Sequence, residues 1–417
     1  MHVTTILNRI EKHKGFVFGK ARFGMDADGR VCIEVPVRAR KRSKALCSGC
    51  GHWDSTYDHL PARRFRYVPL WGFAVVLVYA MRRVACAECG VTVETVPWAA
   101  GKSPITRSFA LYLADWAKSL SWQEVARRFR ANWHQVFYSV SYVVAWGLAH
   151  RDLSGVTALG IDEIQFARGQ QYLTVVYQLC GDVRRLLFVG QGRQSGSLEV
   201  FFVAMGKAWC GQITHVCTDM WQAYVKAIGN YLPDAVHILD RFHIVKLLNE
   251  AVDKVRRQEA AQLRKEGVDL LKGLKYVFLK RPENLTDGQH ASLQALLNKR
   301  WLCTVRAYLW KEKFELFWQY QSPYWARRYL WRWCKGAMRS RLAPIKKFVG
   351  TIRAHEDLLM NWFKAKKQFS SGAVEGMNRK INVITRRSYG FRSYEVMKIA
   401  LYHVLGDLPE PEMTHEF

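Results

Sequence analysis

The period of the hydrophobic positions changes near Thr157, where a helical stretch gives way to a strand-rich one. Upstream, SPITRSFALYLADWAKSLSWQEVARRFRANWHQVFYSVSYVVAWGLAH has apolar residues at helical spacing and predicts three helices. Downstream, short apolar runs bounded by turn residues predict strands. These runs are TALGIDEI, QYLTVVYQLC, RRLLFVG, ITHVCTDM and AVHILD, and helices are predicted at SLEVFFVAMGKAW, with Ser197 as its N-cap, and at WQAYVKAIG.

The predicted elements after Thr157 follow the order βββαβαβ, which is that of the ribonuclease-H-like fold. The first and fourth strands of such a sheet are neighbours. A carboxylate on the first strand, Asp162 or Glu163, can therefore lie beside Asp219 at the end of the fourth. Strand parity does not choose between the two acids, because the flanking residues are apolar on both faces. Two adjacent carboxylates repel each other, and a divalent cation such as Mg²⁺ removes that cost. Alternatively, the acids face solvent at a strand end.

A predicted helix near the C-terminus offers a third acid. In FSSGAVEGMNRKINVITRRSYGFRS, apolar residues recur at steps of three, four and three and mark a buried stripe of Val374, Met377, Ile381 and Ile384. A different face carries Glu375, Arg379, Asn382 and Arg386. One acid among cations and amides suits a metal ion together with phosphate, and two-metal phosphoryl transfer commonly uses a third carboxylate. The alternative is an ordinary solvated helix face.

The helices before Thr157 favour a helix-turn-helix. Ser121 is the expected N-cap of a helix at residues 122–129, with Glu124 at the capping-box position. A second helix is expected to begin near residue 132, with exposed side chains that could face a DNA groove. These side chains are Asn132, His134, Gln135 and Tyr138. An ordinary helical connector would give much the same pattern.

Two CxxCG motifs, CSGCG and CAECG, predict a structural Zn²⁺ site at Cys47, Cys50, Cys86 and Cys89. Gly51 and Gly90 permit the tight turn that each motif needs. Between the motifs, RRFRYV and AVVLVYAMRRVAC predict a hairpin, which must be extended or carry a loop because the motifs lie far apart. The alternatives are four buried free thiols or two redox pairs. The other cysteines have no metal-binding spacing and are expected to be small core residues; they are Cys32, Cys180, Cys210, Cys217, Cys303 and Cys334.

Composition narrows the class of partner. The chain of 417 residues has 63 Lys and Arg against 35 Asp and Glu, a formal charge of +28, and favours a polyanion such as nucleic acid. The apolar run from Val68 to Met81 contains Pro69 and Gly72 and is too short to span a bilayer. The N-terminal MHVTTILNRIEKHKG lacks the apolar core of a signal peptide. We therefore expect an intracellular, cytoplasmic protein without membrane contact.

The chain resembles the ISL3 family of bacterial insertion-sequence transposases, DDE recombinases with an N-terminal zinc ribbon and helix-turn-helix. The resemblance covers nearly the full length and rests on GIDEIQFARGQQYLTVVYQL, CTDMWQAY, DRFHIVKLLNEAVDKVR and SSGAVEGMNRKINVITRRSYGFR, in that order. It implies Asp162, Asp219 and Glu375 as a catalytic triad that holds Mg²⁺ or Mn²⁺. It also implies that Glu163 is a neighbour of the site rather than a ligand.

Residues 247–368 are helical in pattern and rich in Lys, Arg and Trp, like the all-helical insertion of several DDE families. Most tryptophans there are expected in the core, while one or two could stack on an unpaired or flipped base; the candidates are Trp301, Trp310, Trp318, Trp325, Trp331, Trp333 and Trp362. The segment DRFH resembles a signature that follows the second aspartate in such families, so His243 could hydrogen-bond a phosphate. Alternatively, Asp240 caps the next helix and His243 packs beneath it.

The resulting prediction is a multidomain α/β protein with a ribonuclease-H-like catalytic domain interrupted by an all-helical insertion. The expected domains are a zinc ribbon at 1–99, a helix-turn-helix at 100–152, a first catalytic part at 153–246, the insertion at 247–368, and the final catalytic helix and tail at 369–417.

The predicted function is a DNA transposase that binds terminal inverted repeats and target DNA and catalyses cleavage and strand transfer, as a homodimer in a synaptic complex. Phosphate contacts are expected from Arg379, Asn382, Arg386 and Arg387. The rival hypotheses are a nuclease of the same fold without strand transfer and an inactive zinc-dependent regulator.

Overall fold

A computed structural model describes residues 3–26, 28–167, 171–181, 184–192, 194–366 and 372–412. The chain divides into two compact units, Met1–Asp152 with Ile381–Phe417, and Leu153–Lys380. Each unit contains a sheet and helices, so the protein is of the mixed α/β class. No helix within the described ranges is long and apolar enough to cross a bilayer.

The first unit is built on strands β1 to β8 with helices from both ends of the chain. Its strands are β1 (Phe16–Phe18), β2 (Arg22–Met25), β3 (Val31–Ala39), β4 (Ala45–Leu46), β5 (Trp53–Asp54), β6 (Thr56–Leu70), β7 (Phe73–Cys86) and β8 (Gly90–Val93). Its helices are α1 (Val3–Ile10), α2 (Arg107–Ser119), α3 (Trp122–Arg128), α4 (Trp133–His150) and α15 (Tyr394–Leu405).

The predicted extended hairpin is confirmed, because β6 and β7 pair antiparallel along most of their length. The path of the sheet is β1-β3-β7-β6, and β8 also pairs with β7. Trp98 fills the core on one side of this sheet, where Phe16 and Tyr79 meet its ring edge-on at centroid distances of 4.9 and 5.2 Å. The hairpin thus has a hydrophobic core of its own beside the cysteines at its end.

The three predicted helices of the first unit are present as α2, α3 and α4. The predicted capping box of α3 is confirmed, since the Ser121 hydroxyl and the Glu124 carboxylate each accept from the other residue's backbone amide. Helix α4 has a capping box of the same kind, made by Asn132 and Gln135. The capping box of α4 therefore closes the turn between α3 and α4, and that of α3 closes the turn between α2 and α3.

The second unit contains a five-stranded sheet and a helical part. Its strands are β9 (Ala158–Ala167), β10 (Gln171–Gln178), β11 (Leu186–Gln191), β12 (His215–Thr218) and β13 (Val236–Leu239). Its helices are α5 (Ser195–Gly211), α6 (Gln222–Tyr231), α7 (Arg241–Lys265), α8 (Lys275–Leu279), α9 (Asp287–Leu297), α10 (Cys303–Glu315), α11 (Pro323–Met338), α12 (Ala343–Ala354) and α13 (Glu356–Lys364), with 3₁₀ turns at Pro282–Asn284 and Leu316–Gln319. Helix α14 (Gly372–Arg387) begins in this unit.

The strand order of this sheet is β11-β10-β9-β12-β13, so the predicted neighbourhood of the first and fourth strands is confirmed. Strand β10 is antiparallel to both β9 and β11, whereas β12 is parallel to both β9 and β13. The prediction that Ser197 caps α5 is wrong. The helix begins at Ser195 after Gln194, and the Ser197 hydroxyl instead donates to the Gln191 carbonyl at 2.6 Å.

Of residues 247–368, which are predicted to be helical in pattern, the described part up to residue 366 is built from helices α7 to α13, and α7 starts earlier, at Arg241. Asp240 is the N-cap that sets this start. Large side chains such as Phe314, Phe317 and Phe348 form the core of the helical part. Of its tryptophans, Trp318, Trp333 and Trp362 are buried, Trp310 is half-buried, and Trp301, Trp325 and Trp331 are exposed.

Candidate functional site

The register of two neighbouring strands places Asp162 beside Asp219. Cys217 of β12 pairs with Gly160 of β9, and the two aspartates lie two residues further along their parallel strands. Asp162 is 7% exposed, and its Oδ1 accepts from the Glu163 amide at 2.8 Å. Oδ1 of Asp219 accepts from the Trp221 amide at 2.9 Å. The structure therefore brings together the first two acids of the predicted triad.

The electrostatics of this pair fit a cation. Burial raises the pKa of Asp219, and the negative charge of Asp162 acts in the same direction. The Trp221 amide and the charges of His243 and Lys246 act in the opposite direction. Two carboxylates close together at a largely buried strand end repel each other and are poorly hydrated. A divalent ion that binds oxygen ligands would offset both costs.

Asn378 of α14 holds the second oxygen of Asp162. Its Nδ2 donates to Asp162 Oδ2 at 2.5 Å, and its Oδ1 accepts from the Tyr177 hydroxyl at 2.7 Å. Tyr177 is fully buried, and burial followed by the charge of Asp162 raises the pKa of its hydroxyl well above the usual value. Because the buried hydroxyl stays protonated and donates, Asn378 must present its carbonyl to Tyr177 and its amino group to Asp162.

Gly160 lets α14 approach the strand that carries Asp162. A Cβ at Gly160 would lie 2.7 Å from Val374 Cγ2 and 3.1 Å from Leu179 Cδ1. Residues two apart on a strand share a face, so Gly160 and Asp162 both point toward α14, whereas Glu163 points to the other side. The hydrophobic pattern of the sequence did not decide between Asp162 and Glu163. In the structure, Asp162 is the acid on the side of β9 that faces α14.

Glu375, the third predicted acid, is on the same helix but is engaged elsewhere. Its Oε1 accepts from Arg379 Nη2 at 2.6 Å, and 38% of its side chain is exposed. Among the described residues, the three carboxylates are not a cluster whose ligand atoms all lie within 4.8 Å of one another. Asn378, one turn further along α14, occupies the position against Asp162 instead.

His243 lies in the first turn of α7, next to the aspartates. Its Nε2 is 3.9 Å from Asp162 Oδ1 and 3.6 Å from Asp240 Oδ2. Asp240 Oδ1 accepts from the Phe242 amide at 2.7 Å, which makes Asp240 a helix cap. The capping role considered for Asp240 is therefore present, and about a quarter of the His243 side chain remains exposed. A phosphate at the aspartates would lie within reach of this imidazole.

The four predicted zinc ligands form one cluster. The Sγ atoms of Cys47, Cys50, Cys86 and Cys89 all lie within 4.8 Å of one another. A tetrahedral Zn²⁺ with Zn–S bonds of about 2.3 Å separates its sulfurs by about 3.8 Å, so the cluster fits the ion. Gly51 and Gly90 have φ of 75° and 71°, which bears out the predicted tight turns.

Hydrogen bonds to Cys47 favour its thiolate form. The Thr92 hydroxyl and the amides of Cys50 and Gly49 lower the pKa of Cys47 to about 6. A thiolate is the form that binds Zn²⁺, so these hydrogen bonds favour the ligand form of Cys47. His52 and Glu88 lie next to the cluster, with Nδ1 and Oε1 3.2 Å apart.

The candidate DNA contacts of α4 are only partly available. Asn132 Oδ1 accepts from the Gln135 amide at 2.8 Å, and Gln135 Oε1 accepts from the Asn132 amide at 3.0 Å. Both side-chain oxygens therefore serve the capping box, which leaves the amino groups to face outward. His134 and Tyr138 are exposed and lie near each other, with ring centroids 6.4 Å apart.

Two predicted phosphate contacts at the end of α14 differ in their surroundings. Arg387 Nη1 donates to the Lys118 carbonyl at 2.7 Å, and burial lowers the pKa of its guanidinium. Arg387 thus stabilises the first unit internally. Arg386 is exposed, as is Asn382 one turn earlier.

Three residues at the aspartates were not predicted from the sequence: Asn378, Tyr177 and Lys246. Asn378 lies three residues after Glu375, at a spacing that places it beside that acid on a helix, and this spacing was an available signal. Lys246 follows His243 by the same step on α7. Nothing in the strand pattern marks Tyr177, because a buried tyrosine in an apolar strand usually serves packing.

Comparison with known proteins shows to which family this chain is similar. A profile of ISL3-type DDE transposases, described as "Transposase", matches residues 159–401. The transposase for insertion sequence element IS1001 of Bordetella parapertussis is 30% identical over 355 residues, which cover 84% of this chain and 86% of the relative. The transposase for insertion sequence element IS1557 of Mycobacterium tuberculosis is 30% identical over 409 residues, with 90% and 89% of the two chains covered.

A DDE transposase is an enzyme of phosphoryl transfer on DNA, and its family implies a ribonuclease-H-like catalytic fold that uses a divalent metal. This chain belongs to the ISL3 family of DDE transposases. The expected family, reaction class and insertion-sequence origin are confirmed.

Proposed function

We propose that this transposase binds the terminal inverted repeats of its element and cuts and joins DNA at a site made by Asp162, Asp219 and Glu375. The observation that carries the proposal is the parallel register of β9 and β12, which brings two distant aspartates to the same level. The pKa of Asp219, raised by burial and by Asp162, supports it, because such a pair favours a bound cation.

Asp162 and Asp219 would hold divalent Mg²⁺ or Mn²⁺, with Glu375 as the further carboxylate from α14. When bound, two such ions stabilise the attacking and leaving oxygens of an in-line displacement at phosphorus. Asn378 fixes the Asp162 carboxylate by holding Oδ2, so that one oxygen keeps a defined direction. To reach the ions, Glu375 would leave Arg379 by rotation of its partly exposed side chain. The exposed ion pair is weak enough to allow this.

Several cations and a histidine would hold the DNA strand. His243 donates a hydrogen bond to a phosphate oxygen beside the aspartates, since its Nε2 lies within 4 Å of Asp162. Arg379, Asn382 and Arg386 contact phosphates, which fixes the register of the DNA without reading its sequence. Arg387 is not included, because it already binds the Lys118 carbonyl.

The first unit would recognise the element ends. The four cysteines hold a structural Zn²⁺ that closes the β6–β7 hairpin as a zinc ribbon, and α3 and α4 form a helix-turn-helix. His134 and Tyr138 of α4 would enter the DNA groove, together with the outward amino groups of Asn132 and Gln135. Because two ends must be joined, we propose that the active form is a homodimer that holds both ends and the target.

The test uses the full chain with a labelled duplex that carries the element end, in the presence of Mg²⁺. Wild-type protein should nick the end junction and join the released 3′-hydroxyl to target DNA, whereas Glu375→Gln should do neither and still bind the duplex. Arg392→Gln, an exposed charge change after α14, is the control and should stay active. Nicking without joining would indicate a nuclease, and end-specific binding without chemistry in wild type would indicate a regulator.

A further inference from the structure

Helix α11 (Pro323–Met338) has one face in the core and another that carries aromatic and basic side chains into solvent. Ala326, Leu330, Trp333, Cys334 and Ala337 are the buried residues of this helix. The solvent side, here called the α11 face, consists of Tyr324, Trp325, Arg328, Trp331, Arg332 and Lys335. The 16 residues of α11, PYWARRYLWRWCKGAM, include no acid.

The aromatic residues of the α11 face are more exposed than packing alone accounts for. Tyr324, Trp325 and Trp331 expose 66%, 51% and 57% of their surface. Large aromatic side chains usually bury most of their area, and a cluster of exposed ones commonly marks a binding surface. The core under α11 is already filled by Trp333, whose ring lies 4.9 Å from Phe314. The exposed indoles are therefore not required for folding of the helical part.

Each exposed indole is paired with a cation of the same face. The Arg328 guanidinium lies 5.4 Å from the Trp325 ring centroid, and Lys335 Nζ lies 5.0 Å from that of Trp331. These contacts hold the rings beside positive charge at the surface. Within the described part of the chain, no carboxylate forms an ion pair with Arg328, Arg332 or Lys335. Arg327, by contrast, pairs with Glu356 and Asp357 at 3.3 and 2.8 Å.

We propose that the α11 face binds an unpaired DNA strand, with bases stacked on Trp325 and Trp331 and phosphates bound by Arg328, Arg332 and Lys335. Interleaved aromatic rings and unpaired cations are what a single strand requires, since its bases are free to stack and its backbone is anionic. A duplex offers its phosphates but keeps its bases stacked inside, so it would leave the indoles unused. The positive charge of the face disfavours a second copy of the same face.

The experiment measures binding of the full chain to labelled oligothymidylate and to its duplex with oligoadenylate, without added Mg²⁺. Trp325→Ala with Trp331→Ala should weaken single-strand binding by about fivefold to 150-fold per lost stack, the range of measured stacking energies converted at 1.4 kcal/mol per tenfold. Duplex binding should change much less. Trp331→Phe with Trp325→Phe should restore most of the affinity, because the ring is kept.

Matched variants separate stacking from general effects. Trp301→Ala removes an indole that is 63% exposed but lies outside α11, and should leave single-strand binding unchanged. Arg328→Gln with Lys335→Gln should lower the slope of log affinity against log salt by about 1.4, as expected for two single-strand phosphates. Arg327→Gln, whose side chain is already paired with acids, should alter the slope less.

Three outcomes would overturn the proposal. Equal losses for single strand and duplex would make the face a backbone contact, and unchanged affinity in the alanine variant would mean that the indoles do not touch DNA. If the double alanine variant had a lower mass in sedimentation than wild type but the same affinity for single-stranded DNA, the face would be a contact between copies of the chain. None of these results depends on Asp162, Asp219 or Glu375, so failure here is distinct from failure of the proposed catalytic site.

Discussion

The four-cysteine cluster and the aspartate pair both bring candidate metal ligands together, but they do so by different routes. In the cluster, two short motifs each deliver two sulfurs, and one hairpin brings the motifs together. In the pair, one aspartate comes from each of two parallel strands, and a helix from far along the chain supplies Asn378. The first arrangement depends on local spacing, and the second on how a sheet and a helix pack.

This difference explains how well each site could be predicted. Local spacing identified all four cysteines and the glycine turns beside them. The predicted strand order placed Asp219 beside either Asp162 or Glu163, and only the family resemblance selected Asp162. The rotation of α14 about its own axis follows from neither. In the structure this rotation brings Val374 against Gly160, and it places Asn378 rather than the predicted Glu375 against Asp162.

The largest effect should come from Asp162→Asn, which keeps the shape of the side chain but removes its charge. Cleavage of the element end should fall by at least about 10³-fold, because a metal ligand would be lost while DNA binding stays intact. Single-turnover nicking with a labelled duplex measures this. Glu163→Gln is the adjacent control on the other face of β9 and should remain active. If Glu163→Gln lost cleavage while Asp162→Asn kept it, Glu163 rather than Asp162 would be the acid of the site.

Removing a cysteine should disable the first unit as a whole. Cys86→Ser breaks the four-sulfur set, and because structural zinc binding is coupled to folding, end-specific binding should fall by about 10²-fold or more. Bound zinc, measured by mass spectrometry, should drop from one ion per chain. Cys303→Ser, outside the cluster, should retain both zinc and binding. Full binding by the metal-free Cys86→Ser protein would show that zinc has no structural role.

Asn378→Ala should have an intermediate effect on the second unit. It removes the hydrogen bonds that Asn378 makes to the Tyr177 hydroxyl and to Asp162 Oδ2. Loss of a residue that orients a metal ligand usually costs about 10- to 100-fold, so the Mg²⁺ concentration for half-maximal cleavage should rise by that factor. Val383→Ala, a change at an exposed residue of α14 that has no proposed role in the site, should leave the Mg²⁺ requirement unchanged. Equal Mg²⁺ curves for wild type and Asn378→Ala would remove the positioning role.

The smallest effect should come from Gly160→Ala, which tests whether packing at Gly160 sets the position of α14. The added methyl meets Val374, so the free energy of unfolding should fall by about 1–3 kcal/mol. Adding Val374→Ala should recover part of this loss and of the cleavage rate, since the two side chains compete for one space. Denaturant unfolding of both single variants and the double variant gives the coupling. Additive losses would mean that Gly160 acts in another way.

Two other predictions differ from the structure because the side chains concerned make local hydrogen bonds instead of the expected contacts. Asn132 and Gln135 were expected to face DNA, yet their oxygens close a capping box. Their three-residue spacing equals that of Ser121 and Glu124, so the same reasoning applied to both pairs would have found the second box. Ser197 was expected as a cap and instead contacts the Gln191 carbonyl, which depends on where the preceding strand ends.

The most direct test of the aspartate site is the anomalous difference density of crystals grown with Mn²⁺ and DNA carrying the element end. We predict density at about 2.2 Å from carboxylate oxygens of both Asp162 and Asp219, the distance expected for a small divalent ion. Glu375 should turn from Arg379 toward it. Ions bound at Glu163, or at a site that lacks both aspartates, would contradict the proposed catalytic centre.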